Sequence, residues 1–153
     1  MYLYLVRHGD AFPGSPDHDR ALSEKGKEET KKIAKFLKTA GVEIPILYHS
    51  GLKRAEETAD IIAKILNIKN VTKAQGLAPD DAVLPFCQKI LKSEEDLMVV
   101  GHMPYLSNLA SKLFVDREEA DFIEFRKSAV LVLTGKFDNP WRIAWLVTPK
   151  LLP

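Results

Sequence analysis

Apolar and polar positions follow two rhythms along the chain, and the rhythms alternate. Residues 2–6 form a short run of aromatic and branched apolar side chains that stops at Arg7-His8-Gly9, which predicts a buried strand. Residues 10–20 carry prolines, a glycine and several Asp and His, the composition of a loop. Ser23 then stands as an N-cap, Ile33, Phe36, Leu37 and Ala40 recur at helical spacing, and Gly41 marks a stop. Residues 45–49 read as a second strand. From Leu52 a helical stripe follows through Ala55, Ala59, Ile62 and Leu66, with charges on the other faces.

Residues 68–79 are mixed, with a short strand expected around Val71. A helix is expected over 80–92, carrying Val83, Phe86, Ile90 and Leu91, with Pro85 confined to its first turn. Residues 97–100 read as a buried strand ending at Gly101-His102. Pro104 opens a helix with Leu106, Leu109, Ala110 and Leu113 inward. Residues 116–127 are charged and weakly patterned. Two strands, 129–134 and 142–148, complete the chain, with Gly135 and Asn139-Pro140 in the turn of an antiparallel hairpin. Trp141 and Trp145, four apart, are expected on one face of the last strand.

Strands alternating with helices predict an α/β fold, a three-layer α/β/α sandwich around a mostly parallel mixed sheet. The length of 153 residues suits one domain, 1–153, and no repeat or linker divides it. Charge is balanced at a net +1, which removes bulk electrostatic attraction to nucleic acid as a function. The one cysteine, Cys87, excludes an intrachain disulfide and a Cys-based zinc site, and reads as a small buried hydrophobe. No apolar run is long enough to span a bilayer, and the N-terminus lacks a signal-peptide pattern. The expected location is therefore cytoplasmic, with neither membrane nor nucleic acid as a partner.

In open α/β sheets a site forms outside the carboxyl ends of the strands. His8 and His102 stand at two such ends, and Ser50 and Arg54 follow a third. Arg7, His8, Arg54 and His102 would make an electropositive pocket in a chain of almost no net charge. Guanidinium forks match phosphate oxygens. The helix start after Pro104 would add backbone N–H groups and a favourable dipole. No trio of carboxylates suggests a divalent metal, and no cofactor is implied. Phosphoryl binding by Arg and His is the simplest reading.

Four segments carry a family resemblance. Arg7-His8-Gly9 after an N-terminal strand resembles the signature of the histidine phosphatase superfamily, which includes phosphoglycerate mutases. Ser50-Gly51-Leu52-Lys53-Arg54-Ala55-Glu56-Glu57-Thr58-Ala59 resembles its second motif, whose Arg binds phosphate. Val100-Gly101-His102-Met103-Pro104 resembles its third, whose His completes the pocket. Arg20-Ala21-Leu22-Ser23-Glu24-Lys25-Gly26 resembles the lead into the first helix. The short length and the Arg-His-Gly-Asp opening look most like the small phosphohistidine phosphatases. That resemblance implies a phosphoglycerate mutase-like fold and metal-independent removal of phosphate from phosphohistidine in signalling proteins.

On this reading neutral His8 attacks phosphorus, and water then hydrolyses the phospho-His8 intermediate. Arg7 and Arg54 hold the oxygens, and His102, if protonated, donates another hydrogen bond. Cationic neighbours lower the pKa of His8. Arg20 is either a phosphoryl ligand or the partner of Asp19. Asp10 is either a contact of Arg7 or substrate, or a turn residue. His18 and His49 read as surface or structural residues. A general acid would come from Asp80 or Asp81, neither in the family's usual Glu context. A phosphohistidine leaving group needs less acid help, which favours it over a small phosphomonoester. The rivals are a small-molecule phosphomonoesterase or mutase and a non-catalytic phosphate-binding module.

Overall fold

The structure, a computed structural model, describes residues 1–117 and 121–153; residues 118–120 of the charged stretch 116–127 lie outside those described. Six strands form one mixed sheet: β1 (Tyr2–Arg7), β2 (Ile46–His49), β3 (Asn70–Lys73), β4 (Leu97–Gly101), β5 (Val130–Lys136) and β6 (Asn139–Val147), in the order β3-β2-β4-β1-β5-β6. The first four are parallel, while β5 runs antiparallel to β1 and β6 antiparallel to β5. Four helices, α1 (Glu24–Thr39), α2 (Lys53–Leu66), α3 (Leu84–Leu91) and α4 (Tyr105–Val115), cover it.

The pleat divides the core. Leu3, Leu5, Leu97 and Val99 turn to one face and pack with Phe86, Ile90, Tyr105, Leu106 and Leu109 of α3 and α4. Tyr4, Val6, Met98 and Val100 turn to the other and pack with Ile33, Leu37, Ala59 and Ile62 of α1 and α2. Both faces of β1 and β4 are covered, so these strands are continuous apolar runs instead of alternating ones. The three-layer architecture is as expected.

Helix α1 begins where the Ser23 hydroxyl accepts the Gly26 N–H at 3.1 Å. Gly26 is required there because a Cβ would lie 2.1 Å from the Asp10 carbonyl oxygen. The first turn of α1 is thereby pressed against the chain leaving β1.

Three local expectations are corrected. Helix α3 starts at Leu84, not 80, because Asp81 closes a turn on Ala78 through its N–H and its carboxylate. Pro85, lacking an N–H, sits in the first turn of the helix beyond that turn. The hairpin turn is Phe137-Asp138, since Lys136 pairs with Asn139. Gly135 lies inside β5, where a Cβ would meet the Trp141 ring at 2.5 Å. Pro140 sits in an edge strand, which tolerates its missing donor.

Trp141 and Trp145 lie on opposite faces, not one. Val132 pairs with Trp145 but Leu133 pairs with Ile143, so Ala144 is an extra residue in the ladder. Such a bulge reverses the facing of the strand residues on its far side. Trp141 joins the α3/α4 core, while Trp145 packs edge-on against Tyr4 and Phe36 beside α1.

Candidate functional site

Parallel pairing puts the carboxyl ends of β1, β2 and β4 on one edge, and the register aligns Arg7 with Gly101. The ladder continues one step further, with the His8 N–H donating to the Gly101 carbonyl at 2.9 Å. His8 and His102 therefore emerge side by side, with ring centroids 5.0 Å apart. Both are buried.

His8 Nδ1 lies 2.7 Å from the Gly9 carbonyl oxygen. A carbonyl can only accept, so Nδ1 carries the proton and Nε2 keeps its lone pair. Burial lowers the His8 pKa to about 4, the Gly9 bond works against that, and the charges of Arg54, Arg7 and Lys127 lower it further. The expected depression is present, but desolvation leads and the cations follow.

His102 pairs through Nε2 with the Ser50 hydroxyl at 2.6 Å. Its pKa falls to about 3, first through burial and then through His8 and Arg54, with Asp17 opposing. His102 is thus neutral in this state. A bound anion would raise its pKa again.

Arg7 donates to the Phe125 carbonyl at 2.7 Å. Arg54, in the first turn of α2, is held by one residue of the loop: Nη1 donates to the Asp17 carbonyl at 3.0 Å and Nη2 to the Asp17 carboxylate at 3.2 Å. The Nε atoms of Arg7 and Arg54 and Nδ1 of His102 are buried without a partner among the described residues. Buried polar atoms are nearly always satisfied. Tyr105 Oη and Trp141 Nε1 are also without a partner among the described residues, but those lie apart in the core, whereas the other three gather at the strand-end edge and fit an anion-binding site.

The remaining candidates fall elsewhere. Arg20 donates Nε to the Phe12 carbonyl and pairs with Asp17, not Asp19, so its guanidinium is engaged inside its own loop. Asp19 lies instead beside exposed His18. His49 is buried and accepts the Gly51 N–H, a structural role. Asp10 accepts from Ser23 at 2.6 Å and from Lys127 at 2.9 Å, and no bond to Arg7 is present among the described residues. Asp80 and Asp81 are both exposed, and Asp81 is spent on its own turn. The carboxylate that acts on His102 is that of Asp17. Behind Pro104, the Leu106 N–H is used by the His102 carbonyl and so is not open to a ligand.

Thr58, Glu57 and Ser50 escaped the sequence reading as individual residues with roles. Thr58 Oγ1 accepts the Gly9 N–H at 3.0 Å and donates to the Arg54 carbonyl at 2.7 Å, tying the His8 loop to α2. Glu57 accepts the Leu22 N–H at 2.9 Å and anchors the return of the loop. Thr58 lies four residues after Arg54, so helical periodicity puts it on the same face; that spacing was the available signal.

Among the described residues no group of three or more His, Cys, Asp or Glu is placed to hold a metal ion, and no helix is long and apolar enough to cross a membrane.

An α/β sandwich with paired imidazoles and guanidiniums at the strand ends is the architecture of a phosphoryl-handling enzyme, and comparison with known proteins agrees. Residues 3–78 match the histidine phosphatase superfamily (branch 1). An uncharacterised protein of Picosynechococcus is 33% identical over the full length of both chains. The phosphohistidine phosphatase SixA of Escherichia coli is 29% identical over 119 residues, 74% of each chain. A solved structure of the protein histidine phosphatase SixA complexed with tungstate superposes with a TM-score of 0.89 at 25% identity, covering 99% of each chain. The chain belongs to the histidine phosphatase superfamily.

Proposed function

We propose that this chain, working as one domain over residues 1–153, is a phosphatase that removes the phosphoryl group from phosphohistidine in a signalling protein through a phospho-His8 intermediate. The observation that carries the reading is the locked tautomer of His8, whose Nε2 lone pair stands beside His102 and two guanidiniums with unsatisfied Nε–H groups. Similarity to SixA proteins along the chain supports the same class, and tungstate is a tetrahedral oxyanion like phosphate.

The chemistry runs in two displacements. His8 Nε2 attacks phosphorus as the bond to the leaving nitrogen breaks; the substrate imidazole, already protonated on its other nitrogen, departs neutral. Water then attacks phospho-His8, releasing inorganic phosphate and restoring the neutral imidazole. Arg7 and Arg54 offset charge on the transferring group. His102, its pKa raised by that charge, donates a further hydrogen bond. Arg20 holds Asp17 and does not itself reach the phosphoryl group, and no aspartate need protonate this leaving group, so neither Asp80 nor Asp81 is required. The donor set, all nitrogen and including two guanidinium cations, suits an anion and not a divalent ion, so metal independence belongs to the reading. So does a cytoplasmic location, with a phosphorylated protein domain as partner and neither nucleic acid nor membrane.

A substrate panel tests this. A phosphohistidine-bearing protein domain should be turned over faster than 3-phosphoglycerate or sugar phosphates, and chelator should leave the rate unchanged. Faster hydrolysis of the small phosphomonoesters would assign the chain to the rival enzyme class. Phosphate binding with no turnover of any of them would make it a binding module.

A further inference from the structure

Arg54 is the buried cation of the site, its side chain 6% exposed, yet its partner Asp17 is 64% exposed. One residue, Asp17, satisfies both Nη1 and Nη2, which places it on the outer edge of the guanidinium fork. The other edge, formed by Nε and Nη2, contains the buried Nε–H that has no partner. A phosphoryl group that enters beside Arg54 would take the second edge bidentately while Asp17 keeps the first. Arg20 holds the remaining Asp17 oxygen at 3.2 Å, so the carboxylate is fixed from two sides. It sits in the one-turn helix Asp17–Asp19, in the loop that leads from β1 to α1.

We propose that Asp17 is a specificity-determining residue: it stays on Arg54 beside the bound phosphoryl group as a fixed negative charge. Leaving groups that bring their own carboxylate or second phosphate are repelled by it. Neutral or cationic leaving groups, such as an imidazole, are tolerated. This deepens the phosphatase reading and rests on it. It also supplies a physical reason for discrimination by a chain with few loops: one carboxylate shares the phosphate-binding cation with the substrate.

The test compares binding, with turnover removed. In the full chain carrying His8→Ala, dissociation constants for 3-phosphoglycerate and for inorganic phosphate are measured by calorimetry, with and without Asp17→Asn. Asn keeps an oxygen for the hydrogen bonds and loses the charge. The expected result is a tightening of 3-phosphoglycerate relative to phosphate by about fivefold, the scale of a partly solvated charge interaction. Asp17→Glu should leave the ratio near its starting value. A ratio that is unchanged in Asp17→Asn, or moves the other way, overturns the proposal. Hydrolysis of phosphohistidine by the unmutated chain is measured separately. Its absence would defeat the functional reading, while the binding ratio would still decide on Asp17.

Discussion

The two imidazoles of the site and the cations that meet at the loop between β1 and α1 are held by different means. His8 and His102 follow the ends of adjacent strands, His8 is tied to the Gly101 carbonyl and His102 to the Leu106 N–H, and burial leaves both neutral. Arg54 and Arg20 meet over a residue of an exposed loop, and their charges are balanced by Asp17. The first arrangement depends on backbone register and tolerates little. The second depends on hydrogen bonds and ion pairs from Asp17 to both arginines. On the proposed reading, reactivity falls to the strand ends and discrimination to the loop.

Substitutions on the two sides should differ in size. His8→Ala removes the attacking lone pair and should lower turnover at least about a thousandfold, as loss of a nucleophile does elsewhere; steady-state kinetics on a phosphohistidine protein checks this. Arg54→Ala should weaken phosphate binding and turnover together, with kcat/KM falling about a hundredfold. Normal kinetics would remove Arg54 from the pocket. Thr58→Val leaves the Gly9 N–H buried without an acceptor and should cost about 2 kcal/mol of stability in denaturant titration. It should also lower kcat, because Gly9 is the residue whose carbonyl fixes the His8 tautomer.

The pH response is smaller and has a definite sign. Both histidines have folded pKa values, about 4 and about 3, below the value of about 6.5 expected when unfolded. Between these limits the unfolded chain binds protons that the folded chain does not. Stability should therefore fall as pH drops from about 6.5 toward 4, and be fully present above that window. Replacing His102 with Gln should flatten the slope. The acid limb of kcat/KM should likewise lie nearer 4 than 6.5, since His8 must be neutral to attack.

How much of this was legible in the chain depends on range. Arg7-His8-Gly9 and Gly101-His102 were visible because each ends an apolar run, and strand ends on a parallel sheet converge. Arg54 was visible from its motif, but its partner was not: Asp17 reaches it across a loop, and loop geometry leaves no periodicity to read. Ser50 reaches His102 in the same way, across 52 positions of sequence. Local signals also misled. Period-two counting placed Trp141 and Trp145 together, and one extra residue, Ala144, reversed the result. The apolar spacing over 80–92 suggested a longer helix than forms, because Asp81 and Pro85 favour a turn before the first helical hydrogen bond.

The atom that takes the phosphoryl group is the most direct point of test. The full chain should be mixed briefly with a phosphohistidine protein, quenched in base, and mapped by mass spectrometry. A base-stable, acid-labile phosphoryl group on His8, absent from His8→Ala, is the predicted result. Turnover with no such adduct at His8, or with the adduct on His102 or another side chain, would contradict it.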